Sequence, residues 1–206
     1  MTRCSSYALA FVLLAPSIAS AQGLWAEAGL GVSHVSGTYT FEDEVNPGHG
    51  ASGKLQLEAP IDAIGVELGG VLGYAHSKYL AVGVGPRLLV AGTDAELGES
   101  SFSLTSITAL SLEGSLRPLG DGLFFRPSVG YAQSRPLAGS TNDVGSADNI
   151  FEAETVRGPI VGLGAGWATG SLVLSAKVSY ARLEADRTRF NPLIISLGVA
   201  LQRWPD

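Results

Sequence analysis

The chain has 206 residues, with 13 Lys+Arg against 19 Asp+Glu and a formal charge of −6. Only 16% of it is charged, against roughly 25% in a soluble globular protein. Yet after residue 21 no stretch offers the roughly 18 consecutive apolar residues that a membrane-spanning helix needs, and the acidic balance without Lys/Arg patches excludes nucleic acid as a partner.

The first 21 residues read as an export signal. Arg3 gives a basic start, Tyr7 to Ala15 an apolar run, and Ala19-Ser20-Ala21 a small-residue cleavage site. The single cysteine, Cys4, lies before the apolar run, so residues 22–206 have neither disulfides nor thiolate chemistry. They read as one domain.

From Gly23 onward the pattern has period two, which puts alternate residues on opposite faces of a sheet. The first predicted strand, 23–34, sets Leu24, Leu30 and Val32 against Trp25, Glu27, Gly29 and Gly31. The second, 62–74, sets Ile64, Val66, Leu68, Leu72 and Tyr74 against Gly65, Glu67, Gly69 and Gly73. The third, 79–90, sets Leu80, Val82, Val84 and Leu88 against Gly83, Gly85 and Arg87. In the fourth, 103–116, Leu110, Leu112 and Leu116 oppose Ala109, Ser111 and Glu113, with Ser106 and Thr108 blurring the apolar face.

The fifth, 123–134, places Leu123, Phe125, Val129 and Tyr131 against Arg126, Ser128 and Gly130. The sixth, 156–168, places Val161, Leu163 and Trp167 against Gly158, Gly162, Gly164 and Gly166. The seventh, 171–183, places Leu172, Leu174, Val178 and Tyr180 against Ser175, Lys177 and Ser179. The eighth, 193–203, places Leu193, Ile195, Leu197, Val199 and Leu201 against Ser196, Gly198, Ala200 and Gln202. Short turns are expected at 76–78, 118–121 and 169–170, and long polar loops at 35–61, 91–102, 135–155 and 184–192. An even number of alternating strands with short turns at one end and long loops at the other predicts an all-β fold: an eight-stranded antiparallel up-and-down transmembrane β-barrel.

A lipocalin-like soluble carrier has the same strand count with the apolar face inward. The polar face decides for the membrane barrel, because Gly, Ala and Ser suit a cramped lumen and not a solvated strand surface. The lumen then holds Glu27, Glu67 and Glu113 with Arg87, Arg126 and Lys177, a neutral set as burial requires. Pairing Tyr74 with Leu80 sets Glu67 opposite Arg87, and pairing Leu116 with Leu123 sets Glu113 opposite Arg126. Such a lumen is closed, which disfavours a pore. Tyr74, Phe125 and Trp167 at the short-turn end, and Tyr131 and Tyr180 at the long-loop end, fall where the two membrane interfaces would lie.

With its export signal, eight alternating strands, four long loops and charge-paired lumen, the chain resembles the small outer-membrane barrels of the outer membrane protein A and X type. That resemblance implies the outer membrane of a Gram-negative-type bacterium, with outer-membrane lipids, lipopolysaccharide and the barrel-assembly machinery as partners, and an envelope-structural or surface-interaction role. Barrels of this kind end in an aromatic residue; here Trp204 is followed by Pro205-Asp206 and falls on the lumen parity.

Enzymatic chemistry finds few candidates. Some eight-stranded outer-membrane barrels modify lipid A with His and Ser on the outer wall, and His34-Val35-Ser36 is the only comparable pair, with Ser36 expected on the face opposite His34. His49 and His76 are too scattered for a metal cluster. Gly162 to Gly166 alternates within a strand and opens no helix, so it is no dinucleotide loop. The expectation is a non-enzymatic protein with no catalytic residue, metal or cofactor, and the alternative a lipid A hydrolase.

Overall fold

The structure, a computed structural model, describes residues 23–45, 53–97, 100–119, 122–141 and 154–205; the export signal and His49 lie outside them. The elements are β1 (Gly23–Val45), β2 (Gly53–Ser77), β3 (Leu80–Leu97), β4 (Ser100–Leu116), β5 (Gly122–Thr141), β6 (Val156–Thr169), β7 (Leu172–Ala181), β8 (Leu183–Glu184), β9 (Thr188–Phe190) and β10 (Leu193–Arg203). Strands β1 to β7 pair in sequence, β10 pairs with β7, and β10 closes the ring onto β1, all antiparallel. The wall is therefore eight strands around, an up-and-down barrel. The short strands β8 and β9 prolong β7 and β10 beyond the breaks at Arg182 and Asn191-Pro192, reaching β6 and β1 respectively.

Closure leaves no strand edge exposed around the ring, so every wall strand finds hydrogen-bonding neighbours on both sides. The faces separate by parity. Ile64, Leu72, Leu163, Leu197 and Leu201 point outward and are at least 60% exposed, while Trp25, Phe124, Glu113 and Arg126 point inward and are buried. This is the inverse of a lipocalin-like carrier. A band of exposed Leu, Ile and Val around a closed ring is stable in hydrocarbon and a large hydrophobic liability in water.

Register departs from expectation at two hairpins. Tyr74 pairs with Val82 and not with Leu80, because the reversal is the pair Lys78-Tyr79 and a bulge between Ala75 and Ser77 absorbs one residue. Leu116 pairs with Phe125 and not with Leu123, since the connection is centred one residue further along the chain. Both shifts are by an even number of residues, so no side chain changes face. The last reversal is Gly170-Ser171, where Gly170 has φ +53°. Glycine alone adopts that conformation without strain.

Strand extends into the segments expected as long loops. β1 runs to Val45 and β2 begins at Gly53, β3 and β4 reach Leu97 and Ser100, and β5 reaches Thr141. Here the alternation continues with its chemistry reversed. Val35, Tyr39, Phe41, Ala59 and Ile61 are buried inside, while Glu58, Pro60 and Asp62 face out. Beyond the hydrocarbon the wall meets water, so the apolar residues turn inward and the polar ones outward. A search for apolar residues on one constant face ends where that exchange takes place.

Close packing of the wall requires glycine where β2 meets β3. Gly73 and Gly83 are cross-strand partners, and a Cβ on Gly73 would lie 2.3 Å from the Val82 carbonyl oxygen and 2.4 Å from the Gly83 Cα. Backbone atoms cannot yield as a flexible side chain does. Gly73→Val is expected to lower stability by about 1–3 kcal/mol, the usual effect of overpacking. Urea unfolding of the barrel in vesicles checks this, and a midpoint equal to that of the parent chain would show that the wall can open locally.

Candidate functional site

The lumen is layered. At the short-turn end Trp25, Val71, Ala75 and Ala81 form an apolar cluster with Trp204 packed on it, the two indoles 5.6 Å apart. The Arg117 guanidinium sits 3.5 Å over the Trp204 ring and donates to the Gln202 side-chain oxygen. Trp204 therefore belongs to a plug inside the barrel. At the opposite end Val35, Tyr39, Leu89, Ile107, Ile160, Leu183, Phe190 and Ile194 fill the interior, with Tyr39 stacked 3.9 Å from Phe190. Tyr39 lies above the apolar band, and burial pushes its phenol above the usual range while a hydrogen bond to Ser134 opposes the shift.

Between these apolar layers lies the charged one. Arg126 on β5 donates to both carboxylate oxygens of Glu27 on β1, at 2.6 and 2.7 Å, bridging opposite walls of the ring. Lys177 on β7 donates to Glu113 on β4 at 2.8 Å, and Arg126 Nε is 4.0 Å from the other Glu113 oxygen. Arg87 Nε lies 3.0 Å from Glu67 Oε1. The second Glu67 oxygen accepts from Ser33 at 2.8 Å and from Ser196 at 2.7 Å. Ser179 accepts from Arg87 at 3.3 Å.

The six charged side chains are between 7% and 15% exposed, so their pairing is a condition of burial and not a surface ornament. A cavity of about 90 Å³ among Glu27, Glu67, Arg87, Glu113, Arg126 and Lys177 is the open space left at this level.

The partners differ in part from those expected. Glu67 and Arg87 meet, but diagonally, because Glu67 stands opposite Leu89 and Arg87 opposite Gly69. Glu113 stands opposite Ser128, and Arg126 spends its two-pronged contact on Glu27, leaving Glu113 to Lys177. Cross-strand counting sees only neighbours in the sheet. In an eight-stranded ring, long side chains from opposite walls also meet, and that is decided by closure. The seryl donors Ser33 and Ser196, and the Arg117–Trp204 contact, went unread for the same reason.

On the outer face Tyr74, Phe125 and Trp167 are exposed toward the short turns, and Tyr131 and Tyr180 toward the other end. Pro159 stands beside Tyr131, and Val161 beside Tyr180. His34 also faces out, with Nε2 2.5 Å from Asp62 Oδ1. Asp62 is the direct cross-strand partner of Ser36. The expectation that Ser36 leaves the face of His34 is corrected: residues two apart in an unbroken strand share a face, and β1 has no bulge there. His76 sits against the Tyr74 ring, 5.4 Å away. No group of three potential metal ligands occurs among the described residues.

No protein-family model matches the chain, and no curated protein matches it. Solved structures do. The outer membrane protein OprG from Pseudomonas aeruginosa is similar with a TM-score of 0.55 and 12% identity, over 88% of this chain and 96% of that one. The attachment invasion locus protein Ail of Yersinia pestis matches with a TM-score of 0.50 and 12% identity, over 86% and 98%. The outer membrane protein AlkL, solved in lipid bilayers, matches with a TM-score of 0.50 and 17% identity, over 92% and 94%. The shared property is the fold, that of small outer-membrane β-barrels.

Proposed function

We propose that this chain, folded as a small outer-membrane β-barrel, is an integral outer-membrane protein of a Gram-negative-type bacterium with an envelope-structural or surface-interaction role. The observation that carries the reading is the pairing of an outward apolar band with a lumen filled by ion pairs and capped by apolar layers at both ends. The segment 1–21 directs export and is removed after Ala21, and the barrel-assembly machinery inserts the remainder. Tyr74, Phe125 and Trp167 anchor one membrane interface, and Tyr131 and Tyr180 the other. Glu27, Glu67, Glu113, Arg87, Arg126 and Lys177 hold the wall together from within and exclude a water column. Lipids and lipopolysaccharide form its surroundings.

The test is fractionation with gel mobility of unheated against boiled protein, followed by planar-bilayer recording. The expected result is a heat-shifted band in the outer membrane and no steady large conductance steps. A soluble periplasmic protein without a heat shift would end the membrane reading; large stable channels would end the closed-lumen one.

A second reading, hydrolysis of lipid A acyl esters at the outer face, is favoured by the His34–Asp62 contact with Ser36 on the same outward face. In that reading Ser36 is the nucleophile, His34 the base and Asp62 its orienting carboxylate. Mass spectrometry of lipid A from cells expressing the parent chain or Ser36→Ala decides it. Acyl loss with the parent and none with the variant supports the hydrolase; identical lipid A removes it.

A further inference from the structure

The outer face carries an uneven ring of charge where the apolar band ends. On β5, the outward positions ascend from Tyr131 through Gln133 to Arg135. Arg157 on β6 is the direct partner of Gln133 on one side and of Glu184 on the other. Arg135 and Arg182 are thus its diagonal neighbours, so three arginines form a row across adjacent strands just beyond Tyr131 and Tyr180. Diagonal neighbours in a sheet lie about 7–8 Å apart, within reach of long side chains.

Among the described residues one carboxylate, Glu184, stands within the row, between Arg157 of β6 and Arg189 of β9. Glu184 accepts from Arg182 Nε at 2.8 Å, while Arg135 and Arg157 have no ion-pair partner among the described residues. At the same height β2 shows Asp62 and, above it, Glu58 instead, opposite Ser36 and Thr40 of β1. Like charges on neighbouring strand positions repel, so such a row is favourable when a multivalent anion lies between them. A guanidinium is a planar fork whose N–H groups match phosphate oxygens two at a time. Interfacial tyrosines sit at headgroup level, which puts the arginines among the phosphates of the outer leaflet.

We propose that Arg135, Arg157 and Arg182 form a binding site for the phosphate groups of an outer-leaflet glycolipid, held against the β5–β6–β7 side of the barrel. The inference rests on the outer-membrane reading above. Its phosphate chemistry follows from the charge and the fork geometry, and its lipid nature from the position at the edge of the apolar band; the acylated sugar headgroup follows from the outer-membrane reading. The carboxylates of Asp62 and Glu58 on β2 repel the same headgroup, so the lipid is held on one side and not all around the wall.

The test is native mass spectrometry of the folded full chain in neutral detergent, incubated with bisphosphorylated lipid A, with the same lipid after phosphatase treatment, or with lipid A plus inorganic phosphate. The parent chain is expected to retain the phosphorylated lipid and not the dephosphorylated one. The triple variant Arg135→Gln/Arg157→Gln/Arg182→Gln should retain about tenfold less, as loss of charge-assisted contacts implies. Arg203→Gln removes one positive charge at the opposite end of β10 and should retain as much as the parent.

Equal retention by the triple variant, an equal loss with Arg203→Gln, or capture of the dephosphorylated lipid would overturn the site. Displacement of the lipid by an equal concentration of inorganic phosphate would assign the row to soluble phosphate and overturn the lipid. Heat-shifted mobility, measured on each variant, separates these failures from failure of the outer-membrane reading, in which the parent itself shows no shift. If only the triple variant lacks the shift, Arg157→Gln alone carries the comparison.

Discussion

Replacing Arg126 by methionine is expected to lower the stability of the barrel by about 3–5 kcal/mol, the usual consequence of leaving one partner of a buried ion pair behind. Arg126 binds both oxygens of Glu27, and each of the two side chains is under a tenth exposed. Once the guanidinium is gone, the Glu27 carboxylate keeps its desolvation penalty without its counter-charge. The lost contact also joins β1 to β5 across the ring, so the wall loses a tie that no neighbouring-strand hydrogen bond replaces.

Removing both charges together, as in Glu27→Gln/Arg126→Met, is expected to recover most of the loss, because a neutral pair carries no uncompensated charge. Urea titration of the chain folded in phospholipid vesicles, followed by heat-shifted mobility, measures both. A single variant within about 1 kcal/mol of the parent would mean that the pair behaves as a solvated surface bridge.

A charge on the outer wall should have an effect of similar size for a different reason. Leu197 stands midway along β10, opposite Val32 on β1 and Ala176 on β7, and is 65% exposed. Leu197→Arg is expected to destabilise the inserted barrel by about 2–4 kcal/mol, the range for arginine at the middle of a bilayer on a barrel's lipid face. In a water-soluble protein, so exposed a substitution would change stability by only about half a kcal/mol.

Thr38→Arg serves as the comparison. Thr38 faces out beyond the apolar band, between Val35 and Tyr39 of the upper core, and the same substitution there should be nearly neutral. The difference between the two variants in vesicles measures the membrane itself. If they behave alike, the apolar band does not face lipid.

Much of the molecule was readable in one dimension because a barrel wall repeats a local rule. Leu30, Val66, Leu112 and Leu197 face out and Glu27, Gly65, Glu113 and Ser196 face in by parity alone, and no distant contact can alter parity within an unbroken strand. The six lumen charges were legible as a group for the same reason, since each stands on the inward parity of its strand. What failed was anything that depends on a count across a turn. The bulge after Ala75 and the late centre of the β4–β5 connection each moved a hairpin by two residues, and nothing in the flanking residues announces either. The face shared by His34 and Ser36 was available from parity, and Asp62 beside them was not.

By itself, then, the sequence determined the strand count, the inner and outer faces, and the chemistry of each: small and charged within, aliphatic without. Alternation and composition are local properties, and they suffice for those. The tertiary structure alone decided which charges meet, where the strands end and what seals the interior. Glu27 finds Arg126 only because the ring closes and sets β1 across from β5. The upper strands persist past residue 35 because water replaces lipid outside them, so Tyr39 and Phe190 can stack inside while Thr38 and Arg189 face out. Solvent on the far side of a wall and partners on its opposite side are both set by the closed ring, and a single strand's sequence holds no record of either.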